Sequence, residues 1–98
     1  MYDRGWGVPQ DDREALRLCR QSADLGFGQC QFNLGVFYRD GRGTARDPLA
    51  SYLWFSLADR AGTLKADVKA NDMRRSLTPA QLADAERLLA LWQPASDQ

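Results

Sequence analysis

Tyr38-Arg39-Asp40-Gly41-Arg42-Gly43-Thr44-Ala45-Arg46-Asp47 is a second copy of Tyr2-Asp3-Arg4-Gly5-Trp6-Gly7-Val8-Pro9-Gln10-Asp11. The tyrosine, both glycines and the closing aspartate recur at an offset of 36 residues, which also carries Gly26 onto Gly62. The paired glycines permit positive φ in a tight connection. The aspartate stands where a helix should start: Asp11-x-x-Glu14 reads as a capping box, and Asp47 is followed by Pro48, a good first helical residue. Downstream the apolar spacing turns helical, with Ala15, Leu18, Cys19, Ser22 and Ala23 in one copy and Ser51, Trp54, Phe55 and Ala58 in the other. Gly26 and Gly62 are then the C-terminal caps of these two helices.

Between them the spacing predicts another helix over roughly Gly28 to Arg39, with Cys30, Leu34 and Tyr38 on its inner face. Gly35 would let a neighbouring helix approach closely. A unit of helix, glycine loop and helix, repeated, is the mark of a solenoid. The stretch Gln29-Cys30-Gln31-Phe32-Asn33-Leu34-Gly35-Val36-Phe37-Tyr38-Arg39-Asp40-Gly41-Arg42-Gly43 resembles the Sel-1-like repeat family, relatives of tetratricopeptide repeats, and the likeness runs over residues 2 to 62. Three positions depart from the family pattern. Thr44 replaces a usual valine (Val8 keeps it in the first copy), Cys30 a usual alanine, and Asp59 a second small residue. The resemblance implies an all-α chain, a right-handed α/α superhelix of antiparallel helix pairs that binds other proteins.

Leu49, Tyr52, Leu53 and Leu57 give the second repeat's last helix another apolar face, so it should be packed on both sides. Its outer neighbour is expected from the rest of the chain. Leu64, Ala66, Val68, Ala70, Met73 and Leu77 suggest a helix to about Arg75. Thr78-Pro79-Ala80-Gln81 reads as a capping box opening a last helix, with Leu82, Ala85, Leu89 and Trp92 on one face. The expected organisation is a repeat region over 1–62 (one partial and one complete repeat), a C-terminal helical cap over 63–94, and a disordered tail over 95–98. Met1-Tyr2 aligns with the end of the 28–39 helix, so the first repeat lacks its leading helix. Leu16 and Leu18 would then lie on an open edge, covered by upstream chain, by a partner or by a second copy in a homodimer. Burying one leucine side chain is worth about 1.5–3 kcal/mol.

Composition narrows the function. The chain has 98 residues, 13 Lys+Arg against 13 Asp+Glu, and no histidine. Zero net charge gives no electrostatic reason to expect nucleic-acid or anionic-membrane binding. Lack of histidine removes the usual neutral-pH acid–base group, and two cysteines alone cannot close a zinc site, so neither metal nor cofactor is expected. The longest apolar run, Leu49 to Ala58, falls far short of the ~20 residues a membrane span needs. No apolar run follows the charged N-terminus, which points to a cytoplasmic protein. Arginine outnumbers lysine 11 to 2, a hint of a GC-rich bacterial genome.

The glycine pairs are not phosphate cradles, because Asp11 and Asp47 occupy the helix starts that an anion would need. Cys19 and Cys30 read as free, small apolar residues, with a disulfide between the two helices as the alternative. Secreted relatives carry disulfides joining neighbouring helices at a shorter spacing; Cys30 matches one such position, but the other falls on Ala23. Arg39, Arg42 and Arg46, interrupted by Asp40 and Asp47, read as a solvated mixed-charge loop, or else a small basic patch for an acidic partner.

The candidate partner-binding residues are Gln29, Asn33, Phe37 and Asp40 on the 28–39 helix, with Trp6 in the first glycine loop. An amide pair beside an exposed ring is suited to gripping a peptide. Phe37 could equally pack on the next repeat, and Trp6 could lie back on its own helix. Trp54 and Trp92 are expected in the core. The reading is a non-enzymatic protein–protein interaction module. Its alternatives are a structural C-terminal segment of a longer solenoid or a self-associating module, and, more distantly, a β-lactam-interacting enzyme like certain cysteine-rich relatives.

Overall fold

The computed structural model describes residues 9–92, and side chains from Asp12 onward. The first glycine loop with Trp6 and the tail 95–98 lie outside the described residues. Five helices follow in order: α1 (Pro9–Asp24), α2 (Gly28–Asp40), α3 (Pro48–Arg60), α4 (Ala66–Arg74) and α5 (Pro79–Leu91). No strand occurs among the described residues. The thinnest dimension is 22 Å, two helix diameters, against 41 and 37 Å for the others. The molecule is therefore a slab two helices thick, the section of an α solenoid.

The capping chemistry read from the sequence holds at four of five helix starts and stops. Asp47 caps α3, its Oδ1 accepting from the Ala50 N–H at 3.1 Å, with Pro48 in the first turn. Thr78 and Gln81 form the reciprocal capping box of α5. Phe27 donates its N–H to Ser22 O at 3.2 Å, and 36 residues later Thr63 donates to Ala58 O at 2.9 Å, the same closing bond around Gly26 and Gly62. The start of α1 differs from expectation. It begins at Pro9, so the Asp11-x-x-Glu14 pattern lies inside the helix rather than at its cap. Proline's fixed φ favours the first helical position, which Pro9 takes two residues ahead of Asp11. Glu14 instead pairs with Arg17, one turn along.

Helix α3 is the centre of the fold. Ser51, Tyr52, Trp54, Phe55, Leu57 and Ala58 are buried along it, and it packs against α2, α4 and α5. Both of its apolar faces are thus used, as the pattern required. At the α2–α3 crossing Gly35 meets Phe55: a Cβ on Gly35 would stand 2.6 Å from the ring. Ser51 Oγ donates to Gly35 O at 2.7 Å in the same contact, and Phe32 meets Phe55 edge-on with centroids 5.3 Å apart. The buried face of α2 is Gln31, Leu34 and Gly35; Cys30 and Tyr38 are half-buried.

The chain after residue 62 keeps more of the repeat than its sequence shows. Ala66, Ala70 and Met73, buried on α4, stand 36 residues after Cys30, Leu34 and Phe37. Helix α4 therefore occupies the place of α2 in a third, shortened unit. It is shorter than expected because Lys65 takes a left-handed conformation (φ 69°) that blocks any earlier start. Leu64 (82% exposed) and Val68 (54% exposed) consequently leave the buried face. On α5, Ala85 and Leu89 are buried and Leu82 packs against the core as expected, but Trp92 is only half-buried. Both α4 and α5 pack chiefly on α3 and little on each other.

Gly35→Ala should lower stability by about 1–3 kcal/mol, because the added methyl has no room against Phe55. Urea denaturation measures it, and a neutral result would mean that the two helices part at no cost. Lys65→Gly should instead raise stability by up to about 1 kcal/mol, since glycine adopts positive φ without strain.

Candidate protein-binding surfaces

Gln29, Asn33, Phe37 and Asp40 form one stripe along α2, at the helical spacing that the sequence suggested. The structure engages most of them locally. Gln29 Nε2 donates to Asn33 Oδ1 at 3.2 Å, and Asn33 Nδ2 turns towards Cys19 Sγ, 4.0 Å away. Phe37 is half-buried against the core, with the Arg42 guanidinium 5.4 Å above its ring. Asp40 receives Arg39 Nε at 2.9 Å and Nη2 at 3.3 Å. Hydrogen bonding from Arg39, helped by the charges of Arg39, Arg42 and Lys69, holds the Asp40 carboxyl below its ordinary pKa.

The loop arginines are likewise occupied. Arg42 pairs with Asp12 at 3.2 Å, tying the second glycine loop to α1, and Arg46 Nε donates to Arg39 O at 3.1 Å. This is the mixed-charge loop of the sequence reading. Leu18, on the outer side of α1, is 51% exposed, whereas Leu16 is half-buried against the core. Leu25 and Phe27 are also exposed at the α1–α2 turn.

A different surface is concave. Over α3, between α1 and α5, lies an apolar groove of about 380 Å³. It is lined by Leu53, Trp54 and Leu57 of α3, by Tyr38 of α2, and by Leu88 and Leu89 of α5 with Trp92 just beyond its end. Arg20 and Asp24 stand on the α1 rim, 3.5 Å apart as an ion pair, with the Arg20 guanidinium 5.5 Å over the Trp54 ring. The groove's volume is within the roughly 300–1,000 Å³ of ligand-holding pockets. It continues at Leu57 and Trp92 into a recess of about 190 Å³ lined also by Gly26, Gln31 and Arg60. Arg60 Nη1 donates to Leu89 O at 2.9 Å, satisfying a carbonyl in the last turn of α5 and fixing that end of α5 to α3. Gln31 is buried with Nε2 donating to Ala23 O at 3.1 Å, while its Oε1 has no partner.

Sequence reasoning placed Trp54 and Trp92 in a core and missed the groove between them. The available signal was an excess of apolar residues on α5, where Leu88 and Leu91 lie beside the four-residue face that packing requires. No group of three or more His, Cys, Asp or Glu that could hold a metal exists among the described residues. Nor is any described helix long and apolar enough to cross a membrane.

Because the lowered Asp40 pKa favours the folded state when ionised, its contribution is complete above the ordinary carboxylate value and is lost as pH falls through the lower folded value. The stability gap between wild type and Asp40→Asn should therefore narrow from about pH 4 downward, as urea denaturation across a pH series would record. The group is exposed, so the gap itself is small. A gap that widens with acid would contradict the assignment.

A family model described as the Sel1 repeat matches residues 1–27 and 28–62. The boundary between the two matches falls at the first residue of α2, and the second match encloses the whole α2–α3 pair.

Proposed function

The chain belongs to the Sel1 repeat family, whose repeats are generally protein-interaction modules, and on that premise we propose that it binds a segment of another protein in the groove over α3. The observation that carries this is the convergence of Tyr38, Trp54 and Trp92 with Leu53, Leu57 and Leu88 around one open concavity. Aromatic and large apolar side chains in a desolvated pocket are where binding energy concentrates. The Arg20–Asp24 pair at the rim supplies a donor and an acceptor for the partner's backbone or charged side chains. In this reading the protein is a non-enzymatic adaptor without a cofactor, residues 1–62 form the repeat region, and α4 with α5 terminates a right-handed superhelix. The partner is a protein, with neither nucleic acid nor membrane involved, and the setting is bacterial cytoplasm.

The α2 stripe of Gln29, Asn33, Phe37 and Asp40 is the competing surface for the same role, with Trp6 a separate candidate. Its amides and carboxylate already have intramolecular partners, which favours the groove. Selecting binders from a displayed library of random peptides distinguishes the two. Enriched peptides should carry a large apolar residue and perturb tryptophan fluorescence. Leu88→Glu should weaken them on the order of 10- to 100-fold, the value of one large buried side chain. Asn33→Ala should leave affinity within about twofold. The reverse pattern would move the site to α2.

Self-association is a second reading, favoured by the exposure of Leu18 with Leu25 and Phe27 at the α1 end, next to half-buried Leu16. Light scattering behind size exclusion should then show a homodimer that Leu18→Glu dissociates. A monomer at all concentrations would remove this reading and leave the groove untouched.

A further inference from the structure

Ser51 and Gln31 are the buried polar side chains among the described residues, and only Ser51 is fully satisfied. Gln31 is 1% exposed, and its Nε2 donates to Ala23 O at 3.1 Å. A carbonyl only accepts, so the nitrogen is the end of the amide on Ala23 and Oε1 is the end left over. That oxygen has no partner among the described residues and is closed to bulk water, although buried acceptors are nearly always paired. Gln31 also lines the recess of about 190 Å³ at the end of the groove. The space far exceeds the roughly 10–15 Å³ that one water needs.

Arg60 lines the same recess. It gives one of its five N–H donors to Leu89 O, which leaves others for a ligand. The recess thus combines an acceptor, a cationic donor and the apolar Leu57 and Trp92. Each polar partner excludes one kind of charge. The Arg60 cation repels an ammonium that would donate to Gln31, and the Gln31 oxygen repels a carboxylate that would accept from Arg60. A neutral group that donates and accepts at once satisfies both, and a carboxamide is such a group.

We propose that the recess is a subsite for a carboxamide, the side chain of an asparagine or glutamine in the segment bound over α3; this rests on the groove reading above. The ligand N–H donates to Gln31 Oε1, and its oxygen accepts from Arg60. A small turn about the soft terminal torsion of Gln31 brings Oε1 to the ligand. Leu57 and Trp92 line both groove and recess, so one segment places an apolar side chain in the first and a carboxamide in the second. The groove supplies contact area, and the recess supplies selectivity. A buried acceptor discriminates against any ligand that leaves it unpaired.

Propionamide, propionate and propylammonium, three probes of similar size, separate the chemistry of the recess from its volume. Titrated into nitrogen-15-labelled protein near neutral pH, propionamide should shift the Trp92 indole and Gln31 side-chain amide resonances saturably. The two charged probes should need roughly tenfold higher concentration or more for the same shift. Gln31→Met, checked for helicity by circular dichroism, should lose the propionamide response. If that variant does not fold, selectivity among the three probes on the wild type still decides. Leu88→Glu, which alters the groove and not the recess, should keep the propionamide response while weakening peptides. An equal response to all three probes, or none at Trp92 (a recess that holds water only), would overturn the proposal. So would groove-bound peptides whose affinity is unchanged when their asparagines and glutamines are replaced by leucine. A selective propionamide response with no peptide bound would instead count against the groove and support the recess.

Discussion

The close approach of Gly35 of α2 to the Phe55 ring of α3 sets the separation of the central helix pair. Because no side chain intervenes at Gly35, Ser51 can reach the Gly35 carbonyl, and Phe32 can meet Phe55 edge-on. A hydroxyl buried this deeply is tolerated because its hydrogen bond replaces the one lost to water. Everything that packs on α3 from the other side inherits its position from this contact. Widening it by one methyl group would displace α3 from α2 and, with it, the surfaces that α4 and α5 use.

The shared role of α3 explains the groove. In the complete repeat, α2 and α3 lie along each other with a seven-residue connection, 41–47, between them. In the third unit α4 is shorter and the connection 75–78 contracts, so α5 returns to α3 rather than lying along α4. That shift leaves α1 and α5 on either side of α3 without filling the space between them. The tryptophans at 54 and 92 border the unfilled space instead of interlocking. The seat of α5 on α3 thereby leaves a concave apolar surface beside it.

Polar groups around this framework are spent on holding it together more than on presenting charge. Arg42 and Asp12 tie a loop to α1, Arg60 ties α3 to α5, and Arg39 neutralises Asp40. The groove over α3 is apolar, with the Arg20–Asp24 ion pair at its edge. Such a lining suits the burial of large apolar side chains. Gln31 stands apart as a buried amide with an unpaired oxygen; the Nε2 bond to Ala23 accounts for one half of its amide, and nothing described accounts for the other.

Local chemistry was legible in the residues themselves. A 36-residue offset, aspartate and threonine caps, prolines at first turns and glycines at helix ends act within a few residues, so they could be read without knowing what lies opposite. Hence α2, α3 and α5, and the two-sided burial of α3, follow from the chain alone. What depends on distant neighbours did not. Pro9 displaced Asp11 from the start of α1, and Lys65's left-handed backbone released Leu64 and Val68 from the buried face. The Arg42–Phe37 and Asn33–Cys19 contacts occupied residues that looked free. The groove was illegible for the same reason: an apolar residue in a one-dimensional pattern carries the same signal whether it meets another side chain or faces a gap. Only the position of α5 on α3 decided that Trp92 borders an opening.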